Sequence, residues 1–223
     1  HVRDQGNCGS CWAQSAANTL DSQLCIGSGG EFSGPRAWIS ASYLASCYCD
    51  FPEGGCSGGD PGSALKKAAS LGVPTGGTNK DTCVPYFTSG GALEHFFHPQ
   101  GLEAPTCPST CSQSRGYPRS LASDKFYPQV MVQRTYDLQL AKRYLFQTGP
   151  FPITFYVYKD FLAYKSGYYD VVDRTKVGGH TSTMIGWTQW HGADYILAIN
   201  SWGTSWGEGG GFKMRADCCH IKY

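Results

Sequence analysis

Charge is scarce in this chain: Asp, Glu, Lys and Arg make up 16% of its 223 residues, and the net charge is +1. No basic stripe points to nucleic acid, and no acidic tail points to a solvating segment. Long apolar runs are lacking as well; none nears the roughly 18 residues of a membrane span. The opening HVRDQGNCGS has neither the basic nor the apolar region of a signal peptide, so the chain reads as a processed or trimmed product. Internal repeats and low-complexity tracts are missing too, which argues against a solenoid.

Rings, turns and sulfur are what the chain has in quantity. Aromatics reach 14%, beside 29 glycines and 12 prolines, a composition for an ordered, turn-rich chain long enough to bury a real core. Its 11 cysteines stand at irregular spacing and read as a disulfide framework made in an oxidising compartment. The count is odd, so at least one thiol stays free or pairs outside the chain. Catalysis would give a free thiol its reason.

Periodicity divides the chain. Residues 11–26 place Ala13, Ala16, Ala17, Leu20 and Leu24 on one helical face, with Asn7 or Ser10 as the cap. Residues 60–72 form a second helix, with Asp60 at the N-cap, Pro61 at the first helical position and Gly72 just past the end. A third fits 137–148, stopped by Gly149 and Pro150. From FPITFYVY (151–158) onward the pattern alternates, and HTSTMIGW, DYILAINSW and GFKMRA continue it. An early helical half and a late strand-rich half predict an α+β chain of two subdomains with a groove between them. Residues 73–135 show little periodicity, and Cys83, Cys107 and Cys111 are there to staple them.

The octet QGNCGSCW (5–12) carries the chemistry. A structural disulfide suits Cys8. A redox pair would want a strand, the Cys-x-x-Cys and a helix within a parallel sheet, and no such unit surrounds these residues. Zinc would want a second ligand pair, for which Cys218, Cys219 and His220 are the only candidates. The remaining reading makes Cys11 a nucleophile at a helix N-terminus, where unpaired N–H groups favour thiolate. Lowering a thiol from about 8.5 by about 4 units takes roughly 5 kcal/mol. A helix end supplies at most about 2 kcal/mol, so an imidazolium must supply the rest. GGHTSTMIGW puts His180 at the start of a predicted strand, and AINSWGTSWGEGGGF puts Asn200 at the end of the next. The Asn200 amide would fix the ring's tautomer, and Trp202 would screen that bond from water. His1, His95, His98, His191 and His220 are read as solvent-facing or structural.

At this point QGNCGSCWA, GCSGGDP, GGHTSTMIGW and NSWGTSWGEGGGF together resemble the papain family of cysteine proteases, in the right order and over nearly the whole chain. The resemblance implies a two-lobed fold with a helical left lobe, an antiparallel β-barrel-like right lobe and an active-site cleft between them. It implies that Gln5 donates its side-chain amide to an oxyanion hole shared with the backbone N–H of Cys11. It also implies that Gly58 and Gly59 line the non-primed subsites, with Asp60, Thr181 and Trp202 nearby. The activity implied is peptide hydrolysis through a thioester, with no cofactor and no metal. Peptides and proteins would be substrates, and an N-terminal inhibitory pro-segment and protein inhibitors would be partners. A monomer in a lysosome or vacuole, or secreted, is the expected state. An inactive homologue that binds peptides is the alternative.

The gap from Cys11 to His180 is 169 residues, longer than the about 130–150 of the family signature. An insertion at about 84–111, with TCVPY and TCPSTC, resembles the cathepsin B branch, as do VYKDFLAYKSGYY and RDQG. The expected division is a left lobe of residues 1–116 carrying this loop and a right lobe of residues 117–223. In that branch two adjacent loop histidines hold a substrate's C-terminal carboxylate. Here the stretch is EHFFH, so His95 can stand for the first, Phe96 occupies the second, and His98 is a substitute. Asp4 is the expected anchor of His95. Endopeptidase activity is therefore expected, with peptidyl-dipeptidase activity weak. The resemblance further implies the pairs Cys8–Cys56, Cys47–Cys107 and Cys83–Cys111. It places the partner of Cys25 upstream of residue 1 and leaves Cys49, Cys218 and Cys219 unassigned.

Overall fold

A computed structural model describes residues 1–50, 55–77, 81–97, 102–112 and 117–223. The first half is helical: α1 (Cys11–Gly27), α2 (Ala41–Cys47) and α3 (Pro61–Leu71). α3 begins as its sequence dictates, because the Asp60 side chain accepts from the Ser63 amide, Pro61 occupies the first turn, and Gly72 (φ 73°) ends it. At α1 the capping differs from expectation. Ser10 sits at the N-cap but makes no side-chain cap bond, because its hydroxyl lies 2.6 Å from the Tyr86 hydroxyl. Between α3 and residue 120 the described residues run through isolated bridges and one 3₁₀ turn (Glu94–Phe96), followed by the short α4 (Leu121–Asp124).

The second half is α5 (Leu138–Thr148), β1 (Phe151–Tyr158), α6 (Lys159–Leu162), β2 (Tyr168–Tyr169), β3 (Lys176–Trp190), β4 (Ala193–Ile199) and β5 (Gly211–Arg215). The strands form one sheet in the order β1-β3-β4-β5-β2. Every pairing is antiparallel except β2 with β5. The fold is thus α+β, but the sheet is open, with β1 and β2 at its edges, where a barrel-like closure was expected. Residues 219–223 run beside β1 instead: Lys222 exchanges both backbone bonds with Thr154, and the Tyr156 amide donates to the Cys219 carbonyl. A covered edge needs no closure.

Two cores result. One gathers Trp12, Ala13, Ala16, Ala17, Leu20, Leu44, Ala64, Leu65 and Val73 around the helices. The other gathers Phe155, Phe161, Tyr164, Met184, Ile196, Trp202, Trp206 and Phe212 around the sheet. Both draw on chain from either side of residue 116: Tyr117, Leu121, Phe126, Val130 and Val132 pack on the helical core, and Ala92, Leu93 and Phe96 on the sheet core. α1 lies between the cores, and its Ser15 hydroxyl meets the Thr183 hydroxyl of β3 at 2.9 Å in a buried contact.

Candidate active site

Cys11 opens α1 because the preceding turn is pinned. Cys8 and Cys56 are disulfide-bonded, and the Gly9 amide donates to the Cys56 carbonyl at 2.8 Å. Among the described residues the thiols not in a disulfide are Cys11, Cys25 and Cys49. Cys47–Cys107, Cys83–Cys111 and Cys218–Cys219 are bonded.

His180 and Asn200 meet because their strands are neighbours. β3 and β4 pair with Thr183 opposite Ile199, and Asn200 follows directly. His180 Nε2 lies 2.7 Å from Asn200 Oδ1. The Ser201 amide donates to that same oxygen at 2.8 Å, which fixes it as the acceptor. The imidazole must therefore donate from Nε2, so in the neutral ring Nδ1 carries the lone pair. Nδ1 is buried and has no hydrogen-bond partner among the described residues. Trp202 stands 4.7 Å from the ring, and Phe155 at 5.6 Å and Phe96 at 6.2 Å close two more sides. Cys11, His180, Thr181, Gly58 and Gly59 line one cleft of about 440 Å³.

Burial acts on both groups against the charged form. Burial pushes the Cys11 thiol up, opposed in smaller measure by the Thr181 amide and hydroxyl and the Trp12 amide beside the sulfur. Burial holds His180 down to about 3, with the Asn200 bond opposing it and His95 adding to it. Among the described residues no hydrogen bond joins the sulfur to the ring. Thr181 stands close to the sulfur, and desolvation penalises either charge made alone.

The other expected site residues divide. Gln5 is fully buried; its Nε2 donates to the Cys8 carbonyl at 2.8 Å and its Oε1 accepts from the Ser201 hydroxyl at 2.7 Å. An amide nitrogen has two protons, so one N–H remains. Gly58 (φ 115°) has open space where a Cβ would be, whereas a Cβ on Gly59 would stand 2.4 Å from the Trp12 ring. Both accept only glycine, for different reasons. Thr181 lies in the cleft against the sulfur. Trp202 is buried behind His180 and not among the cleft's lining residues. Asp60 lines an adjoining cavity of about 460 Å³ and pairs with Arg134. His98 lies outside the described residues.

The expected pair of Asp4 with His95 does not form. Asp4 accepts from the Gly6 amide at 2.9 Å and the Gly90 amide at 3.1 Å. His95 Nδ1 lies 2.6 Å from the Ala92 carbonyl. Backbone amides two residues away and on the incoming loop satisfy the carboxylate first. Phe96 takes the place beside His180 and packs on Trp202 at 5.7 Å.

Sequence reading passed over several residues at the site. Tyr86 bonds Ser10 and donates to the Gln5 carbonyl at 2.9 Å, and no periodicity marks it. Ser201, beside Asn200, orients Gln5. His220 is exposed, as expected, and also lines the cleft with Lys222, Tyr136 and Tyr156. Alternation around the buried Ile221 was the signal available for both.

A model of the papain family of cysteine proteases, Peptidase_C1, matches residues 1–223, and the chain belongs to that family. It is 38% identical over 225 residues to a cathepsin B-like cysteine proteinase of Schistosoma japonicum, covering 96% of this chain and 63% of that protein. It is 35% identical over 228 residues to cathepsin B-like cysteine proteinase 1 of Ostertagia ostertagi, with the same coverage. The chain thus spans 63% of the length of these curated relatives. Among solved structures, procathepsin B S9 from Trypanosoma congolense superposes with a TM-score of 0.76 at 29% identity, covering all of this chain and 70% of that one.

Proposed function

We propose that this chain is a cathepsin B-like cysteine peptidase that cleaves peptide bonds through a thioester. One observation carries the reading: an imidazole whose Nε2 is committed to Asn200 keeps an unpartnered Nδ1 in the cleft that holds Cys11. In the step we propose, substrate binding turns the sulfur from Thr181 toward Nδ1, and the proton passes from sulfur to ring. Both charges then appear together. Opposite charges at about 4 Å attract by about 4 kcal/mol at an effective dielectric near 20, which counters the desolvation each suffers alone. Long catalytic contacts in a free enzyme commonly tighten in the complex.

The sulfur attacks the peptide carbonyl, and the oxyanion is met by the Cys11 amide and the remaining Gln5 N–H. The C–N bond breaks as His180 gives its proton to the leaving amine. Water, losing a proton to Nδ1, then breaks the C–S bond and frees the acid. Phe96 beside His180, where a carboxylate-binding histidine would be needed, supports endopeptidase over peptidyl-dipeptidase activity. A pro-form among the structural neighbours supports an inhibitory pro-segment. Among the described residues no helix is long and apolar enough to cross a membrane. A monomer acting in a lysosome, in a vacuole or after secretion, and sensitive to protein inhibitors, completes the reading. We place the lobes at residues 1–116 and 117–223, with Val130 and Val132 of the second returning to pack on the helices.

Cys11→Ala is expected to lower peptide cleavage by roughly 10⁴-fold or more, and a thiol-directed epoxide should label wild type at this residue. A variant that still cleaves would overturn the assignment. The lack of a hydrogen bond between sulfur and ring among the described residues favours one second reading, an inactive peptide-binding homologue. It predicts peptide binding with neither labelling nor turnover.

A further inference from the structure

We propose that the Lys222 ammonium, with the His220 imidazole beside it as a hydrogen-bond donor, forms a wall of the cleft that selects substrates carrying an acidic side chain on its non-primed side. The inference rests on the peptidase reading and adds a substrate class to it.

Beyond a turn at Cys219 and His220 the chain runs beside β1, where Lys222 bridges Thr154. Cys219, Ile221 and Tyr223 point into the sheet core and are buried, which leaves His220 and Lys222 on the opposite face, where both line the cleft. Their place is fixed by backbone: Lys222 exchanges hydrogen bonds of 2.8 and 2.9 Å with Thr154, Tyr223 exchanges bonds of 2.9 and 2.8 Å with Thr135, and the Tyr156 amide donates to Cys219. Cys219 (φ 62°) and His220 (φ 52°) are held in the left-handed region although neither is glycine. Such a conformation costs free energy in a side chain-bearing residue, and it marks this turn as over-determined by its surroundings.

Charge around the wall has one sign. Among the described residues lining the cleft there is no Asp or Glu. Lys222 makes no ion pair among the described residues; its Nζ lies 5.8 Å from the Tyr136 ring centre. Lys176 stands 3.3 Å over Tyr156, whose other neighbour is His220 at 5.2 Å. Asp60, which lines the adjoining cavity with Lys222, is already paired with Arg134. A substrate carboxylate entering past Thr154 would find a half-buried ammonium and an exposed imidazole flanked by two aromatic walls. An arginine or lysine there would meet like charge.

The test compares peptides matched at every position but one, with Glu against Gln and Arg, scanned across the non-primed positions. Wild type should prefer Glu over Gln at one of them by roughly 5- to 50-fold in kcat/KM. The preference should shrink as salt is raised. In Lys222→Glu that ratio should fall to one or below and Arg should become the better substrate; Lys222→Met and His220→Asn should each lower the ratio in part. Epoxide titration of Cys11 normalises each variant for folded, competent enzyme. A wild-type ratio of one or less at every position, or a ratio untouched by Lys222→Met, overturns the proposal while leaving the peptidase reading intact. Failure to cleave any peptide or to take up epoxide would instead remove the peptidase reading, and this inference with it.

Discussion

Around the helices, Ala13, Ala16, Ala17, Ala41, Ala45, Ala64 and Ala68 are fully buried and let backbones approach closely, whereas around the sheet Phe155, Phe161, Trp202, Trp206 and Phe212 fill the space with rings. A buried ring removes roughly 150–250 Å² from water, far more than a methyl group. The sheet side therefore holds itself by burial. The helical side has less apolar area per residue, and the three disulfides that close long loops, at separations of 48, 60 and 28 residues, all lie on it. Cys218–Cys219 joins sequence neighbours and closes none. The site spans both solutions. Its thiol comes from the alanine-packed, cross-linked side, and its imidazole from a box of rings.

Removing a ring is the strongest way to break this contrast. Phe161 is fully buried and touches Phe155, Tyr169, Trp202, Trp206 and Phe212 with centroids between 4.9 and 5.7 Å. Phe161→Ala should cost about 3–5 kcal/mol in urea unfolding, and activity should fall with it because Trp202 backs His180. A cost below about 1 kcal/mol would show that the rings do not hold this side. On the other side, replacing Cys83 and Cys111 together by Ser opens a loop with a separation of 28 residues and should cost about 3–4 kcal/mol by chain entropy. Equal sensitivity of both sides to reductant would erase the distinction.

How legible each side was in the sequence follows from the same contrast. α1, α3 and α5 announced themselves by period and caps, and α3 kept both its Asp60 cap and its Gly72 stop. The strands announced themselves by alternation. α2, only 7 residues long, is too short for a period to register. β3 begins at Lys176, before the expected start, because Gly178 and Gly179 disguise it. The helix–cysteine, the strand histidine and the asparagine after the next strand could be placed in neighbouring elements from sequence. Which atom faces which could not. The place of Thr181 beside the sulfur, the choice of Gly90 over His95 by Asp4, and the entry of His220 into the cleft are each decided by contacts between segments far apart in the chain.

A smaller effect tests the ring box by pH. The folded pKa of His180 is held down to about 3 by burial, below the unfolded value near 6.5. The unfolded chain therefore binds the proton first as pH falls. Stability from the neutral ring is complete above about 6.5 and is lost progressively as pH drops toward 3. Wild type should lose thermal stability across that window more steeply than His180→Gln, whose side chain does not titrate. Parallel curves for the two proteins would mean that the box does not exclude the charged ring.

The weakest expected effect lies where the two sides meet. Ser15 on α1 and Thr183 on β3 share a buried hydroxyl contact of 2.9 Å, one a neighbour of the alanine face and the other three residues beyond His180. Removing either hydroxyl alone leaves its partner unsatisfied in a buried place, so Ser15→Ala and Thr183→Val should each cost about 1–3 kcal/mol. Removing both leaves no orphan. The double variant should therefore be less destabilised than the sum of the singles, with a coupling of about 1 kcal/mol in a double-mutant cycle. Additive costs would mean that the hydroxyls do not couple the helix to the sheet. The register between nucleophile and base would then be held by packing alone.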